Sequence, residues 1–109
     1  MTKYNFPVHL KGNTFKARQI TFGYDLTGAR IDLQFKERAG GQIVFSFSTA
    51  DNTITYVNST TGVVRLNEFI LDVAANTYVY DCQIIDANGS VVTLFYGQMQ
   101  ITQDVTQVV

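Results

Sequence analysis

The chain has one histidine and one cysteine, His9 and Cys82, and these two residues limit the chemistry that a site could perform. Catalysis of the Ser-His-Asp or Cys-His kind needs a histidine that is held by a positioned partner. His9 follows Pro7 in a run that is typical of an edge strand, so we expect a solvent-facing structural role. A structural zinc ion needs four ligands, mostly cysteine and histidine, and the ligand count excludes such a site.

Cys82 alternates with Tyr80 and Ile84, so the three side chains share one face of a predicted strand. A reactive thiolate needs a cation or a helix N-terminus nearby, whereas the neighbour of Cys82 is Asp81. A free cysteine on an apolar face usually packs as a small hydrophobic residue. We therefore predict that Cys82 packs in the core.

The carboxylates and glycines form no recognisable site. The aspartates are scattered without the spacing of an EF-hand loop, no pair is indicated for glycoside hydrolysis, and no glycine-rich loop precedes a helix. The aspartates are Asp25, Asp32, Asp51, Asp72, Asp81, Asp86 and Asp104. The sequence therefore indicates no catalytic, cofactor-binding or metal-ligating residue, and it predicts a protein that is not an enzyme and holds no cofactor.

Four tyrosines have two interpretations. Tyr4, Tyr24, Tyr56 and Tyr78 would suit an aromatic surface that binds sugar or protein. Tyrosine is also favoured in strands for packing reasons alone, and we prefer this structural interpretation.

The elements that would position these residues are short strands. Alternation of apolar and polar residues recurs, and turn residues interrupt it every eight to twelve positions or so. Gly40-Gly41 suits a hairpin, and Tyr80-Asp81-Cys82 has the spacing of a tyrosine corner. We predict an all-β, immunoglobulin-like antiparallel β-sandwich, a single domain over residues 1–109 with its core at about 6–102 and a loose tail from Gln103 to Val109. The predicted core includes Ile31, Leu33, Phe35, Tyr80, Cys82, Ile84, Val92 and Leu94.

The first strands are less regular. Phe6, Val8 and Leu10 alternate, which predicts one apolar face on an edge strand. Residues 15–22 read as a second strand, but its apolar residues change parity between Ala17 and Ile20. That change predicts a bulge or a bend.

The C-terminal hairpin has two possible registers. A two-residue Asn88-Gly89 turn sets Cys82 opposite Phe95 and mixes apolar with polar residues on both faces. A three-residue Ala87-Asn88-Gly89 loop, with Gly89 at positive φ, makes one face apolar, and a one-residue slip would invert every side chain. We therefore predict the three-residue loop. The predicted pairs are Asp86 with Ser90, Ile84 with Val92, Cys82 with Leu94 and Tyr80 with Tyr96.

The composition of the chain argues against a nucleic-acid-binding or membrane-spanning protein. Eight basic and nine acidic residues are interspersed and leave a net charge of −1, so there is no basic stripe for nucleic acid. No apolar run approaches the ~20 residues that span a bilayer, and the polar start of the chain, broken by Pro7, does not read as a signal peptide. We expect a protein made in the cytoplasm, without nucleic-acid or membrane partners.

Several short motifs occur in a characteristic order over residues 6–106. They are Lys11-Gly12-Asn13-Thr14, Asp25-Leu26-Thr27-Gly28-Ala29, Tyr78-Val79-Tyr80-Asp81 with Gln83, Asn88-Gly89, Thr93-Leu94, Gly97 and Asp104-Val105-Thr106. In this order the chain resembles small phage and prophage tail or baseplate proteins, and it is similar to the N-terminal domain of phage upper baseplate proteins. The resemblance implies a structural subunit of a virion, which acts by assembly with itself and with other virion proteins.

The resemblance therefore predicts a virion protein made in the bacterial host cytoplasm. It also implies a homo-oligomer, for which we expect a trimer or larger ring before a dimer. The strand around Ile54 to Val57 is a candidate edge for this contact, because no Lys or Arg guards it. The alternative function is a free-standing carbohydrate- or protein-binding β-sandwich module.

Overall fold

The computed structural model describes residues 2–103, and all regular secondary structure in that range is β-strand. The strands are β1 (Thr2–Lys3), β2 (His9–Leu10), β3 (Thr14–Phe15), β4 (Arg18–Thr21), β5 (Arg30–Lys36), β6 (Ile43–Ser48), β7 (Ile54–Asn58), β8 (Val63–Leu66), β9 (Phe69–Ile70), β10 (Asn76–Ile85) and β11 (Val91–Thr102). The all-β prediction is confirmed. The loose tail was predicted for a segment of which residues 104–109 lie outside the described range.

The strands form one large and two small sheets. The large sheet has the order β1-β11-β10-β5-β6, with β2 also on β11, and the small sheets are β4-β8-β7 and β3-β9. The strand pairs are antiparallel except that β1 and β2 run parallel to β11. The sheets share one apolar core, which gives the predicted sandwich.

The core is built on the alternation in β5 and β10. Their inward side chains are buried, including the predicted Ile31, Leu33, Phe35, Tyr80, Cys82 and Ile84. From the opposite layer, Ile54 of β7 and Leu66 of β8 complete the core. Two predicted core residues differ: Val92 is 49% exposed, so that prediction is wrong, and Leu94 is only partly buried against the core.

The β10–β11 hairpin begins in the predicted register and then leaves it. The N–H of Asp86 donates to the carbonyl of Ser90 at 3.0 Å, and Gly89 has a φ of 87°, which confirms the three-residue loop. Beyond a bulge, however, Cys82 pairs with Phe95. The predicted pairing of Cys82 with Leu94 is therefore wrong, and so is that of Tyr80, whose partner is Gly97 instead of Tyr96.

A conflict between two local patterns explains the bulge. The loop sets Val92 opposite Ile84, whereas farther along β11 the buried residues are Gly97, Met99 and Ile101. On one regular strand, even-numbered and odd-numbered positions cannot both face the core, because side chains alternate with a period of two. Leu94, which has no partner in β10, absorbs the difference as an extra residue.

The N-terminal run is not one strand with a single apolar face. Phe6 is buried, but Val8 is 60% exposed and Leu10 41% exposed. Only its end, β2, pairs with β11 as a strand, and a second short strand, β1, pairs with β11 ahead of the run. Pro7 lies between the two and has no N–H to donate. The predicted second strand is broken, because β3 and β4 belong to different sheets, but the break lies at residues 16–17, just before the stretch from Ala17 to Ile20 where it was predicted.

The tyrosine-corner contact is made by a different tyrosine from the one that the spacing indicated. The hydroxyl of Tyr78, at the start of β10, donates to the carbonyl of Ala74 four residues upstream at 2.6 Å. Tyr80 instead donates to the carbonyl of Tyr4 at 2.7 Å. Tyr80 thus ties the N-terminal segment to the centre of the large sheet.

Candidate functional site

Cys82 and His9 both have structural positions. Cys82 is fully buried, and this burial, with smaller effects of Asp81 and Asp32, raises the pKa of its thiol to about 12. The prediction of core packing is confirmed. The His9 ring donates from Nε2 to the carbonyl of Asn13 at 3.0 Å, so it closes the turn after β2.

Two of the aspartates, Asp25 and Asp51, hold turns. Oδ1 of Asp25 accepts from the N–H of Thr27, and Oδ1 of Asp51 accepts from the N–H of Thr53. Hydrogen bonds from these threonines hold the pKa of both carboxyls below the usual value. Within residues 2–103 no three His, Cys, Asp or Glu side chains come together in a way that would hold a metal ion.

Of the four tyrosines considered above, two meet at one surface. Tyr78 is buried in the core, and the hydroxyl of Tyr56 donates to the carbonyl of Ala29. Tyr4 and Tyr24, which are 42% and 45% exposed, lie on an open cavity of about 550 Å³ between β4 and the β1–β11 edge. We call this cavity the aromatic groove. The residues that line it are Tyr4, Phe6, Arg18, Gln19, Ile20, Thr21, Phe22, Tyr24, Leu94 and Phe95.

The backbone of each of these tyrosines packs directly against a glycine: Tyr4 against Gly97 and Tyr24 against Gly62. A Cβ on Gly97 of β11 would lie 1.7 Å from the carbonyl oxygen of Tyr4, and a Cβ on Gly62 would lie 2.3 Å from that of Tyr24. Gly62 also has a φ of +74°, which side chains disfavour. Sequence reasoning missed these positions, because each glycine acts on a residue distant in the chain.

Among residues 2–103, Arg18 is the only charged residue that lines the aromatic groove. Its Nη1 donates to the hydroxyl of Tyr4, and its guanidinium carbon lies 5.3 Å from the centre of the Phe6 ring. Both contacts fix the side chain, the second through the attraction of a cation to an aromatic face. None of the ion pairs in the described part of the chain involves Arg18, so its charge faces the groove unneutralised.

Strand β4 forms a regular sheet edge beside the groove. The N–H of Phe22 donates to Gly62 on the β8 side at 2.8 Å, and β4 pairs with β8 without a register shift. In an antiparallel pair, alternate residues direct both backbone groups to the partner. The N–H and C=O of Gln19 and Thr21 therefore point away from β8, toward the free edge.

The other two long edges are interrupted. In β6, Val44 is bulged out between Ile43 and Phe45, and the N–H of Ser48 is bonded by the hydroxyl of Thr53 at 2.7 Å. In β7 a bulge falls at Val57, inside the edge considered above for self-association. Bulges and caps of this kind discourage further strand pairing, so β4 is the most accessible of the three edges.

Comparison with known proteins shows the fold alone. No protein-family model and no curated protein matches the chain. The crystal structure of CopC from Methylosinus trichosporium OB3b is similar, with a TM-score of 0.50 and 12% identity over 93% of this chain and 89% of that one. A likeness at this identity extends to the β-sandwich and no further.

The resemblance to phage tail and baseplate proteins is wrong. No such family matches, and CopC is a similar solved structure, so the predicted virion role is corrected and nothing supports the predicted virion location. Several of the motifs that suggested them have local structural causes: Gly12, Gly28 and Gly89 have positive φ, and Asp25 closes its turn through Thr27. Turns of a β-sandwich select such residues without common ancestry.

A search of residues 2–103 for membrane spans finds none: no helix there has the length and apolar character that a bilayer crossing requires.

Proposed function

We propose that this protein is a non-enzymatic binding module that takes up an extended segment of a partner protein along the free edge of β4. The observation that carries the proposal is the outward direction of the backbone groups of Gln19 and Thr21, directly beside the aromatic groove. In β-strand addition, backbone hydrogen bonds supply affinity, and pockets for alternate side chains supply specificity. The β4 edge and the groove offer both.

The groove suits the side chains of such a segment. Its volume of about 550 Å³ lies within the range of ~300–1,000 Å³ that is usual for ligand sites. Ile20, Phe22 and Phe95 are half-buried and apolar at its base. The ionisable groups that line it are Tyr4, Arg18 and Tyr24, and none of these ordinarily acts as a general base near neutral pH.

The groove fits a peptide better than a sugar. Exposed tyrosines such as Tyr4 and Tyr24 also stack on sugar rings, but sugar hydroxyls need polar side chains directed into the site. Gln19 and Thr21 also line the groove, but they alternate with Arg18, Ile20 and Phe22 along β4, so their side chains lie on the other face of the strand. Apart from the hydroxyls of Tyr4 and Tyr24, the neutral polar groups that β4 presents to the groove are therefore backbone groups, which pair with a peptide strand.

A proline substitution on β4 tests the proposal. Peptides that bind the immobilised chain are selected from a displayed octapeptide library, and their affinities are then measured by titration calorimetry. Thr21→Pro removes an outward N–H and blocks strand addition, and it should weaken binding at least tenfold. The sheet tolerates it because that N–H makes no bond to β8.

Thr21→Ala is the matched control, because it removes the side chain and keeps the N–H. It should bind the same peptides within about twofold to threefold. Equal affinity of the wild type and Thr21→Pro would contradict strand addition at β4. Binding to a glycan array that Thr21→Pro leaves unchanged would favour a carbohydrate-binding module instead.

A further inference from the structure

The charge of Arg18 indicates what the partner segment contains. A guanidinium group has five N–H donors in a rigid, planar arrangement, and the hydroxyl of Tyr4 accepts from one of its nitrogens. In the part of the chain that the structure describes, no Asp or Glu lines the groove. Donors that are held in place beside an apolar surface, without a carboxylate of their own, are complementary to a carboxylate of the ligand.

The alternation of β4 determines where this carboxylate must lie. Arg18, Ile20 and Phe22 occupy alternate positions and face the groove together, each half-buried. A strand added to β4 places its own alternate residues beside these three, because directly opposed side chains lie on the same face. The residue opposite Arg18 is therefore separated by two positions from the one opposite Ile20 and by four from the one opposite Phe22.

Resting on the proposed function, we infer that the partner segment carries an Asp or Glu two residues from one apolar side chain and four residues from another, all on one face. In an antiparallel complex the segment reads apolar-x-apolar-x-acid, and in a parallel complex it reads acid-x-apolar-x-apolar. The acid pairs with Arg18, and the two apolar side chains pack on Ile20 and Phe22. The occupant is a segment of another protein.

Synthetic peptides test the spacing and the charge separately. The probes are acetyl-Thr-Phe-Thr-Val-Thr-Glu-Thr-amide and its reverse sequence. For each, one control replaces the glutamate by glutamine, and a second moves it by one position onto the other face. The better glutamate probe should bind at least tenfold more tightly than both of its controls, and 1 M salt should remove most of that difference, since screening weakens ion pairs.

A charge reversal tests whether Arg18 is the partner of the acid. Arg18→Glu should reverse the preference, so that a lysine version of the probe binds more tightly than the glutamate version. This ratio compares two peptides on one variant, so a displacement of Tyr4 by the substitution affects both alike. An unchanged preference for glutamate in Arg18→Glu would overturn the inference.

Different results would refute the inference about the acid and the proposed function. If the glutamate and glutamine probes bind equally and Thr21→Pro weakens both, strand addition stands and the acid requirement is refuted. Library-selected peptides that lack an acid at the stated spacing refute it as well. If Thr21→Pro leaves all peptide binding unchanged, the proposed function itself fails. If the wild-type chain binds its own copy through β4 and has no affinity for the probes, the occupant of the β4 edge is a second copy of this chain and the inferred segment of another protein is refuted.

Discussion

Replacement of Gly97 by alanine should detach the segment that carries Tyr4. The new Cβ would lie 1.7 Å from the carbonyl oxygen and 2.6 Å from the carbonyl carbon of Tyr4, distances that no packing tolerates. Both opposing atoms belong to backbone, so a change of side-chain rotamer cannot relieve the clash. The segment from Tyr4 to Phe6 must therefore move away from β11.

The cost follows from the hydrogen bonds that hold this segment. The N–H groups of Tyr4 and Phe6 donate to Tyr96 and Gln98 at 2.7 and 3.0 Å, and each such bond contributes about 1 kcal/mol net. The hydroxyl of Tyr80 would lose its acceptor, the Tyr4 carbonyl, and an unsatisfied buried polar group costs about 1–3 kcal/mol. We expect a loss of about 3–5 kcal/mol in the free energy of unfolding.

Urea unfolding followed by circular dichroism measures this loss from the shift of the midpoint at constant slope. The matched control is Gly40→Ala, since Gly40 has a φ of +79° but nothing within 4 Å of its added Cβ. Strain alone should cost that variant about 1 kcal/mol. Gly97→Ala should also weaken peptide binding, because Tyr4 lines the groove. A loss below ~1 kcal/mol for Gly97→Ala would refute the reasoning, since it would mean that the segment moves without breaking these bonds.

Four further predictions follow from the core, the hairpin, the thiol and the sheet edges. Leu33→Ala empties a fully buried position and should cost about 2–5 kcal/mol in urea unfolding, whereas a loss below ~1 kcal/mol would mean that the site collapses around the cavity. Gly89→Val should destabilise the hairpin, because Gly89 has a φ of +87° that a β-branched residue resists. Gly89→Asn should be milder, and equal stability of the two variants would contradict this. The fold raises the pKa of the Cys82 thiol from 9.0 to about 12. The stabilisation that comes from keeping this thiol protonated is therefore fully present below the pKa of the unfolded chain, and it is lost as the pH rises from that pKa toward the folded value. The fall should be shallower in Cys82→Ala, and identical pH profiles would exclude this thiol as a cause. Self-association stays a prediction: light scattering at micromolar concentration should give a multiple of 12.2 kDa, and a monomeric wild type would contradict it.

Much of the fold could be predicted because strand signals are local. Ile31, Leu33 and Phe35 alternate with polar residues, and burial follows that alternation. Asn88-Gly89 indicated the hairpin loop, because the need for positive φ at Gly89 depends only on the adjacent backbone. Neither signal required knowledge of a distant residue.

The hairpin register shows where local reasoning fails. Each half of β11 favours one pairing register with β10, but the two registers differ by one residue. The bulge at Leu94 reconciles them, and it is determined by contacts of Met99 and Ile101 with the core. Core packing, rather than the loop, therefore decides how β10 and β11 align over most of their length.

The candidate site was only partly visible in the sequence. The possibility of an aromatic surface followed from the tyrosines, but Tyr78 is core, Tyr56 bonds to Ala29, and only Tyr4 and Tyr24 meet at the groove. Nothing in the spacing indicated that Arg18 would join them. Several of the motifs that suggested a phage protein, including those with Gly12, Gly28 and Gly89, are turn residues that many β-sandwiches need, so they carried structural information and no functional information.

The sequence by itself determined the class of fold, the loop of the last hairpin and the apolar role of Cys82, because each depends on a period of two or on the conformation of adjacent residues. Only the tertiary structure decided the parallel pairing of β1 and β2 with β11, the bulge in β11 and the aromatic groove. The groove joins Tyr4, Arg18 and Tyr24 to Phe95, and this contact exists because Gly97 and Gly62 let distant backbone approach. Such approach depends on the three-dimensional path of the chain, which local patterns do not encode.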